Sequence, residues 1–419
     1  MLKTLPSAEI LREIVKEIPT PFHLYDEGTL RERARLLKKA FSWNADYREY
    51  FAVKANPNPH LIKILQEEGV KVDCASLTEL MLAKACGFSG DEIMFSSNET
   101  PAEEYEYARA LGATINLDDI THIDFLKAHG GIPESICLRV NPGEAFRFGN
   151  FVMGHPEEAK FGMTVPQVYE AVERLMKLGA KRFGLHAFLV SNALMPEYYP
   201  ELAKLLFSLV KDISQKTGAI FGMVNLSGGI GVAYRPEEAE PDVLAIGQGV
   251  KKAYEEIILG GNLPPLRVAT ELGRWLAGPS GWLVTTAIHE KHTHREYIGL
   301  DSCAVDLMRP AMYGAYHHIT VVGKESAPKD HVYDVVGSLC ENNDKFAVQR
   351  SLPRIDPGDM VVLHDTGAHG HSMGYNYNGK LRSAEVLLQP DGTFRLIRRR
   401  QTPADYFATL DFPPLRDLT

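Results

Sequence analysis

Tyr50-Phe51-Ala52-Val53-Lys54-Ala55-Asn56-Pro57-Asn58-Pro59 is an apolar run that ends on a lysine and then breaks into a turn. Two prolines alternating with asparagines cannot continue a ladder, because proline brings no amide donor and biases its predecessor away from the helix. Lys54 is therefore expected at the carboxyl end of a strand. In a parallel α/β protein that end faces the active site. An ammonium placed among Phe, Val and Ala is poorly solvated, which favours the neutral amine that attacks carbonyls. A Schiff-base lysine is one reading of the stretch, and a lysine that snorkels at a strand edge is the other.

Outward from this strand, short β-rich runs alternate with amphipathic segments, the pattern of repeated βα units and a parallel sheet. Strands are expected at 50–54, 71–76, 92–97, 113–117, 136–141, 182–189, 222–227 and 266–271, with helices such as 77–85, 102–111, 165–178 and 199–216 between them. Glycines stop several of these helices. Eight units in about 220 residues fit a (β/α)8 barrel of the TIM type. An open doubly wound sheet is the alternative, but no turn carries the dinucleotide-binding glycine pattern.

Ahead of the barrel, Ile10, Leu11, Ile14 and Val15 give residues 1–19 a helical period, which Pro19-Thr20-Pro21 breaks before the short run Phe22-His23-Leu24-Tyr25. Beyond about residue 275 the helical periodicity fades, and β-branched or alternating runs take over at 282–288, 333–337, 360–363 and 384–388. The expected fold class is α/β: a barrel over residues 28–275 plus a second, all-β domain made discontinuously from residues 1–27 and 276–419. The strand around Phe22 would pair into that second domain.

A chain of 419 residues, 45% hydrophobic and 24% charged, has the composition of a soluble globular enzyme, and its net charge of -9 disfavours nucleic acid or anionic membrane as partners. The basic run Arg398-Arg399-Arg400 is expected to be a solvated or salt-bridged edge. Cys74, Cys86, Cys137, Cys303 and Cys340 show neither metal spacing nor a disulfide framework, which fits the reduced cytoplasm. The amino terminus lacks an apolar signal core and no stretch is long enough to span a bilayer. His364, His369 and His371 have no companion carboxylate set, so no metal site is expected.

In a barrel the chemistry gathers just after each strand. Asp73 ends the second strand, where a carboxylate could orient an ammonium, and Arg139 ends the fifth. The sixth gives His186-Ala187-Phe188, with Ser191 following, the seventh opens into Ser227-Gly228-Gly229-Ile230-Gly231, and the eighth ends Glu271-Leu272-Gly273-Arg274. Glycine-rich backbone after strands seven and eight is where barrels seat a phosphate, because uncovered N–H groups can approach an anion closely. A lysine for a Schiff base, a phosphate cradle and a strand-end carboxylate together point to pyridoxal 5'-phosphate. Glu271 is the acidic partner that its pyridinium nitrogen needs.

The chain resembles the pyridoxal-phosphate decarboxylases with an alanine-racemase-type barrel, and among them the diaminopimelate decarboxylase family, over essentially its whole length. The motifs that carry the resemblance are Phe51-Ala52-Val53-Lys54-Ala55-Asn56, Arg139-Val140-Asn141-Pro142-Gly143, Lys160-Phe161-Gly162 and Arg309-Pro310-Ala311-Met312-Tyr313-Gly314-Ala315-Tyr316-His317. The resemblance implies that Lys54 carries the cofactor and Glu271 meets its pyridine nitrogen. Ser191, Gly229, Gly273 and Arg274 would lie at the phosphate and cofactor edge, with Asp73 and Arg139 also lining the cofactor. Arg309 and Tyr313, with Arg274 nearby, would read the substrate's distal carboxylate and Glu341 its distal ammonium. Cys340 would be the acid supplied by the second subunit of a homodimer with shared active sites. The carboxylates beside it, Glu341 and Asp344, suit Cys340 to giving a proton rather than attacking as a thiolate.

The chain also departs from the family pattern. Phe188 stands where a histidine stacks on the cofactor ring, Val190 where a glycine follows, and Ser227 where the first of three glycines is usual. Cys340-Glu341-Asn342-Asn343-Asp344 replaces Cys-Glu-Ser-Gly-Asp, and His369 replaces a tyrosine near cofactor and substrate. The implied activity is decarboxylation of meso-2,6-diaminopimelate to L-lysine. Another amino acid (ornithine, lysine or a siderophore precursor) and a non-catalytic cofactor-binding barrel are the alternatives. Residues 144–158, rich in Gly and Phe, would form a lid that excludes water.

Overall fold

The computed structural model describes residues 5–146 and 155–418. Most of the expected lid, residues 147–154, lies outside them. The chain forms two compact units, one made of residues 31–232 and 240–276, the other of residues 1–30, 233–239 and 277–419.

The strands in chain order are β1 (Phe22–Asp26), β2 (Arg48–Ala52), β3 (Lys71–Cys74), β4 (Ile93–Phe95), β5 (Thr114–Leu117), β6 (Ser135–Asn141), β7 (Met163–Thr164), β8 (Arg182–His186), β9 (Phe221–Asn225) and β10 (Arg267–Thr270). They continue with β11 (Gly281–His292), β12 (Glu296–Leu300), β13 (Ile319–Val321), β14 (His331–Val336), β15 (Lys345–Leu352), β16 (Met360–Leu363), β17 (Ala384–Leu388) and β18 (Phe394–Arg398).

In the first unit the order β5-β4-β3-β2-β10-β9-β8-β6 closes on itself through β5–β6, giving an all-parallel barrel of eight strands, with β7 an outlying pair on β6. This is the (β/α)8 barrel expected from the alternation, and each of the eight expected strands is present within a few residues of its predicted span. The helices between them, such as Leu77–Ala85, Val165–Lys177 and Tyr198–Thr217, turn buried apolar faces inward. Ser76 caps the first of these by accepting the Glu79 amide at 3.4 Å. Tyr50, Met94, Cys137, Met223 and Ala269, from five barrel strands, form one buried cluster. Gly184 on β8 is small for that reason, since a Cβ there would sit 3.0 Å from the Cys137 sulfur and 3.1 Å from the Met223 methyl.

In the second unit a sheet runs β15-β14-β12-β11-β1-β17-β18, with β16 pairing both β11 and β13. The stray strand at Phe22 is β1, antiparallel to β11 and parallel to β17, with Phe22 opposite both Val284 and Ala384. Leu11 and Ile14 of the helix Ala8–Glu17 pack with Phe22, Leu24, Val284, Val362 and Val386 in one core. Residues 233–239 cluster with this unit, where Tyr234 packs edge-on against His317 at 5.1 Å between ring centres. The three arginines on and after β18 are each engaged: Arg398 with Glu385, Arg399 with Asp405, and Arg400 with the carbonyls of Pro19, Thr20 and Pro21. Among the described residues no helix is long and apolar enough to cross a membrane.

Candidate active site

The barrel's polar site begins two residues beyond its apolar cluster. Side chains on a strand return to the same face every second residue. Stepping on from Met94, Cys137, Met223 and Ala269 therefore gives Ser96, Arg139, Asn225 and Glu271, all of them buried. Glu271 is the centre of this layer. Its Oε1 accepts the Asn225 amide at 2.7 Å, and its Oε2 accepts the Ser227 hydroxyl at 2.9 Å and lies 3.2 Å from His186 Nε2. Burial alone would raise the Glu271 carboxyl, but His186, Lys54 and the Ser227 hydroxyl outweigh it and bring it down to about 2. His186 is itself held below its ordinary value by burial, against the pull of Glu271. Its Nδ1 has no hydrogen-bond partner among the described residues, so the ring's contact with Glu271 is made through Nε2.

Asp73, expected to orient an ammonium, is pushed the opposite way. Burial and then the charge of Glu271 drive its carboxyl well above the usual range, with Lys54 opposing. One carboxylate held ionised beside another driven toward its protonated form is how neighbouring acids acquire different roles. Arg139 pairs with Asp118 at 2.7 Å, both nearly buried, and its guanidinium lies 5.5 Å from the Phe161 ring centre.

Lys54 corrects the sequence expectation in two respects. The strand ends at Ala52, and Lys54 sits in a 3-10 turn over Val53–Ala55. Its apolar neighbours Phe51, Ala52, Val53 and Ala55 are buried, while Lys54 itself is exposed and not enclosed by them. Its ammonium lies 5.1 Å from the Phe188 ring centre, and Phe188 in turn meets Phe161 edge-on at 6.2 Å.

The segments after β8, β9 and β10 are stitched together. Ala193 donates to the Gly229 carbonyl at 2.7 Å and Gly231 to the Ala193 carbonyl at 2.8 Å, and Arg274 Nη2 reaches the Ser191 hydroxyl at 3.2 Å. Gly229 has φ +124°, and a Cβ on it would meet Tyr198 at 2.8 Å and the Val190 carbonyl at 3.1 Å. Gly273 starts a short helix with its Cα backed against the Lys54 turn, where a Cβ would fall 2.7 Å from that of Ala55. Only bare backbone fits at Gly229 and Gly273, and that is the form of an anion cradle. An exposed lysine, an aromatic ring beside it, an ionised carboxylate and a glycine cradle with Ser191 and Arg274 fit pyridoxal phosphate.

In the second unit, Arg309 and Tyr313 are the ends of one helical turn, Arg309–Tyr313. Arg309 is buried, donates to His317 Nε2 at 2.9 Å and lies 4.5 Å from the Tyr234 ring centre. His317 Nδ1 donates to the His364 carbonyl at 2.7 Å, which fixes the tautomer that can accept from Arg309. Cys340 and Glu341 are exposed on the turn between β14 and β15, and His369, with φ +55°, is half-buried beyond β16. Asp344 is not beside Cys340 as a free carboxylate. It is buried, accepting the amides of Ala304 at 2.7 Å and Leu339 at 2.8 Å. His186 stands out in the sequence only as a strand-end residue without a role, and Asn225 and Asp118 do not stand out at all, although the two-residue step from Met223 to Asn225 is there to be read.

Residues 27–278 match the family model described as "Pyridoxal-dependent decarboxylase, pyridoxal binding domain". Protein TabA of Pseudomonas amygdali pv. tabaci is 38% identical over 97% of this chain and 94% of its own. A diaminopimelate decarboxylase of Methanothermobacter thermautotrophicus is 31% identical over 96% and 94%. The crystal structure of the Helicobacter pylori diaminopimelate decarboxylase complexed with L-lysine superposes with a TM-score of 0.86 at 26% identity, covering 95% of this chain and 98% of that one. With a matched cofactor domain around Lys54 and relatives aligned nearly end to end, the chain belongs to the pyridoxal-phosphate-dependent decarboxylases of amino acids.

Proposed function

We propose that the protein decarboxylates meso-2,6-diaminopimelate to L-lysine, in the cytoplasm and as a homodimer with shared active sites. The observation that supports this substrate most is Arg309, a buried guanidinium held by His317 and the Tyr234 ring, one helical turn from Tyr313. When bound through Lys54, pyridoxal phosphate supplies the sink for the electrons of the breaking carbon–carboxylate bond. Glu271, kept ionised by its donors, would hold negative charge for the ring nitrogen, and Phe188 would offer the ring an apolar face. Ser191, Arg274 and the backbone at Gly229 and Gly273 would take the phosphate. Asp73, Arg139 and His369 would line the cofactor. Arg309 and Tyr313 orient the substrate's far carboxylate and Glu341 its far ammonium, so the α-carboxylate is the group left to depart. Cys340 of the second subunit returns a proton to the α-carbon as general acid.

Arg309→Ala should lower kcat/KM for diaminopimelate by about a hundredfold or more while leaving the visible absorbance of bound cofactor intact. Unchanged kcat/KM would contradict the assignment. A second reading is decarboxylation of a different amino acid. Phe188 and His369 are the departures that fit that reading.

A further inference from the structure

Ser227 occupies a backbone conformation that serine does not choose. Its φ is +56°, in the left-handed region that glycine enters freely, and two glycines follow it in the same turn. The side chain is 2% exposed. The Ser227 amide donates to Asn225 Oδ1 at 2.8 Å, its carbonyl accepts the Glu271 amide at 2.8 Å, and its hydroxyl donates to Glu271 Oε2 at 2.9 Å. Asn225 closes the ring by donating to Glu271 Oε1 at 2.7 Å. Two residues of one strand end therefore grip the two oxygens of one carboxylate. With His186 also on Oε2, a carboxylate that accepts about four hydrogen bonds has one site left, on Oε1.

We propose that Ser227 is a positioning residue for the cofactor: its hydroxyl, with the Asn225 amide, sets the plane of the Glu271 carboxylate and leaves one lone pair of Oε1 for the pyridine nitrogen of pyridoxal phosphate. The backbone strain at residue 227 is the cost of a hydroxyl that glycine would lack. The inference rests on the reading that Glu271 meets that nitrogen. The other groups that act on Glu271 are Lys54, Asp73 of β3, Cys137 of β6, His186 of β8, Glu49 of β2 and Tyr199, whose hydroxyl donates to the Ser227 carbonyl, and none of these side chains is altered by a change at 227.

The test is a double-mutant cycle on the full-length protein, read as the dissociation constant for pyridoxal phosphate and as the visible spectrum of the bound cofactor against pH. Ser227→Gly removes the hydroxyl while relaxing the backbone, so it should fold at least as well as the parent. It should bind the cofactor about tenfold more weakly and move the acid-side transition of the spectrum to higher pH. In a Glu271→Gln background the same change should cost little, because the carboxylate it serves is gone. An equal loss in both backgrounds, or no loss in the parent, overturns the positioning role. A Glu271→Gln protein with unchanged affinity and spectrum would instead overturn the reading of Glu271.

Discussion

Glu49 shows how one buried side chain ties the barrel's stability to pH. It lies on β2, is 5% exposed, and accepts the Leu272 amide at 2.6 Å and the Thr270 hydroxyl, which Tyr47 also touches at 2.6 Å. Burial pushes its carboxyl up to about 8, against the lowering effect of those donors, from an ordinary 4.5. Because its folded value is raised, the folded chain holds a proton there that the unfolded chain has already released. The associated stability is complete below about pH 4.5 and is lost as pH rises through about 8. Glu49→Gln keeps an acceptor for Leu272 and cannot ionise. Its denaturation midpoint at pH 8 should exceed that of the parent, and the difference should shrink toward pH 5. An equal difference at both pH values would contradict the account.

The loops after β8, β9 and β10 act as one element, since Ala193, Gly229, Gly231, Ser191 and Arg274 bond across them. Gly229→Ala places a methyl 2.8 Å from Tyr198 on a backbone with φ +124°, where no L-residue is at ease. We expect cofactor affinity to fall about tenfold or more, measured by absorbance titration. Unchanged affinity would remove this turn from the cradle. The strands around these loops were legible in the sequence, because each is a short apolar run closed by a turn. The two-residue β7 was not, being too short to carry any period, and Lys54 was read as a strand's last residue because a 3-10 turn has no sequence signature. At the site, Glu271 could be picked out from its place at a strand end. Asn225 and His186 are also the last residues of β9 and β8, but their bonds to Glu271 emerge only when β8, β9 and β10 lie side by side. Likewise Tyr234 follows the barrel's seventh strand in sequence yet packs on His317, a long-range contact that no local pattern announces.

At the scale of the molecule, Lys54 belongs to the barrel unit while Cys340, Arg309 and Glu341 belong to the other. If Cys340 serves the partner's site, a Lys54→Ala chain and a Cys340→Ala chain are each inactive alone but complement when mixed. Random exchange gives about half heterodimers, each with one intact site, so about a quarter of parental activity should return. No recovery despite verified exchange would place both residues of a site on one chain. The substrate is the central claim, and a site built around a far carboxylate can reject an analogue lacking it by about 10⁴-fold. Carbon dioxide release measured across a panel of amino acids tests that claim most directly. The account predicts that kcat/KM for meso-diaminopimelate far exceeds that for lysine and ornithine, and comparable values for diaminopimelate and ornithine would contradict it.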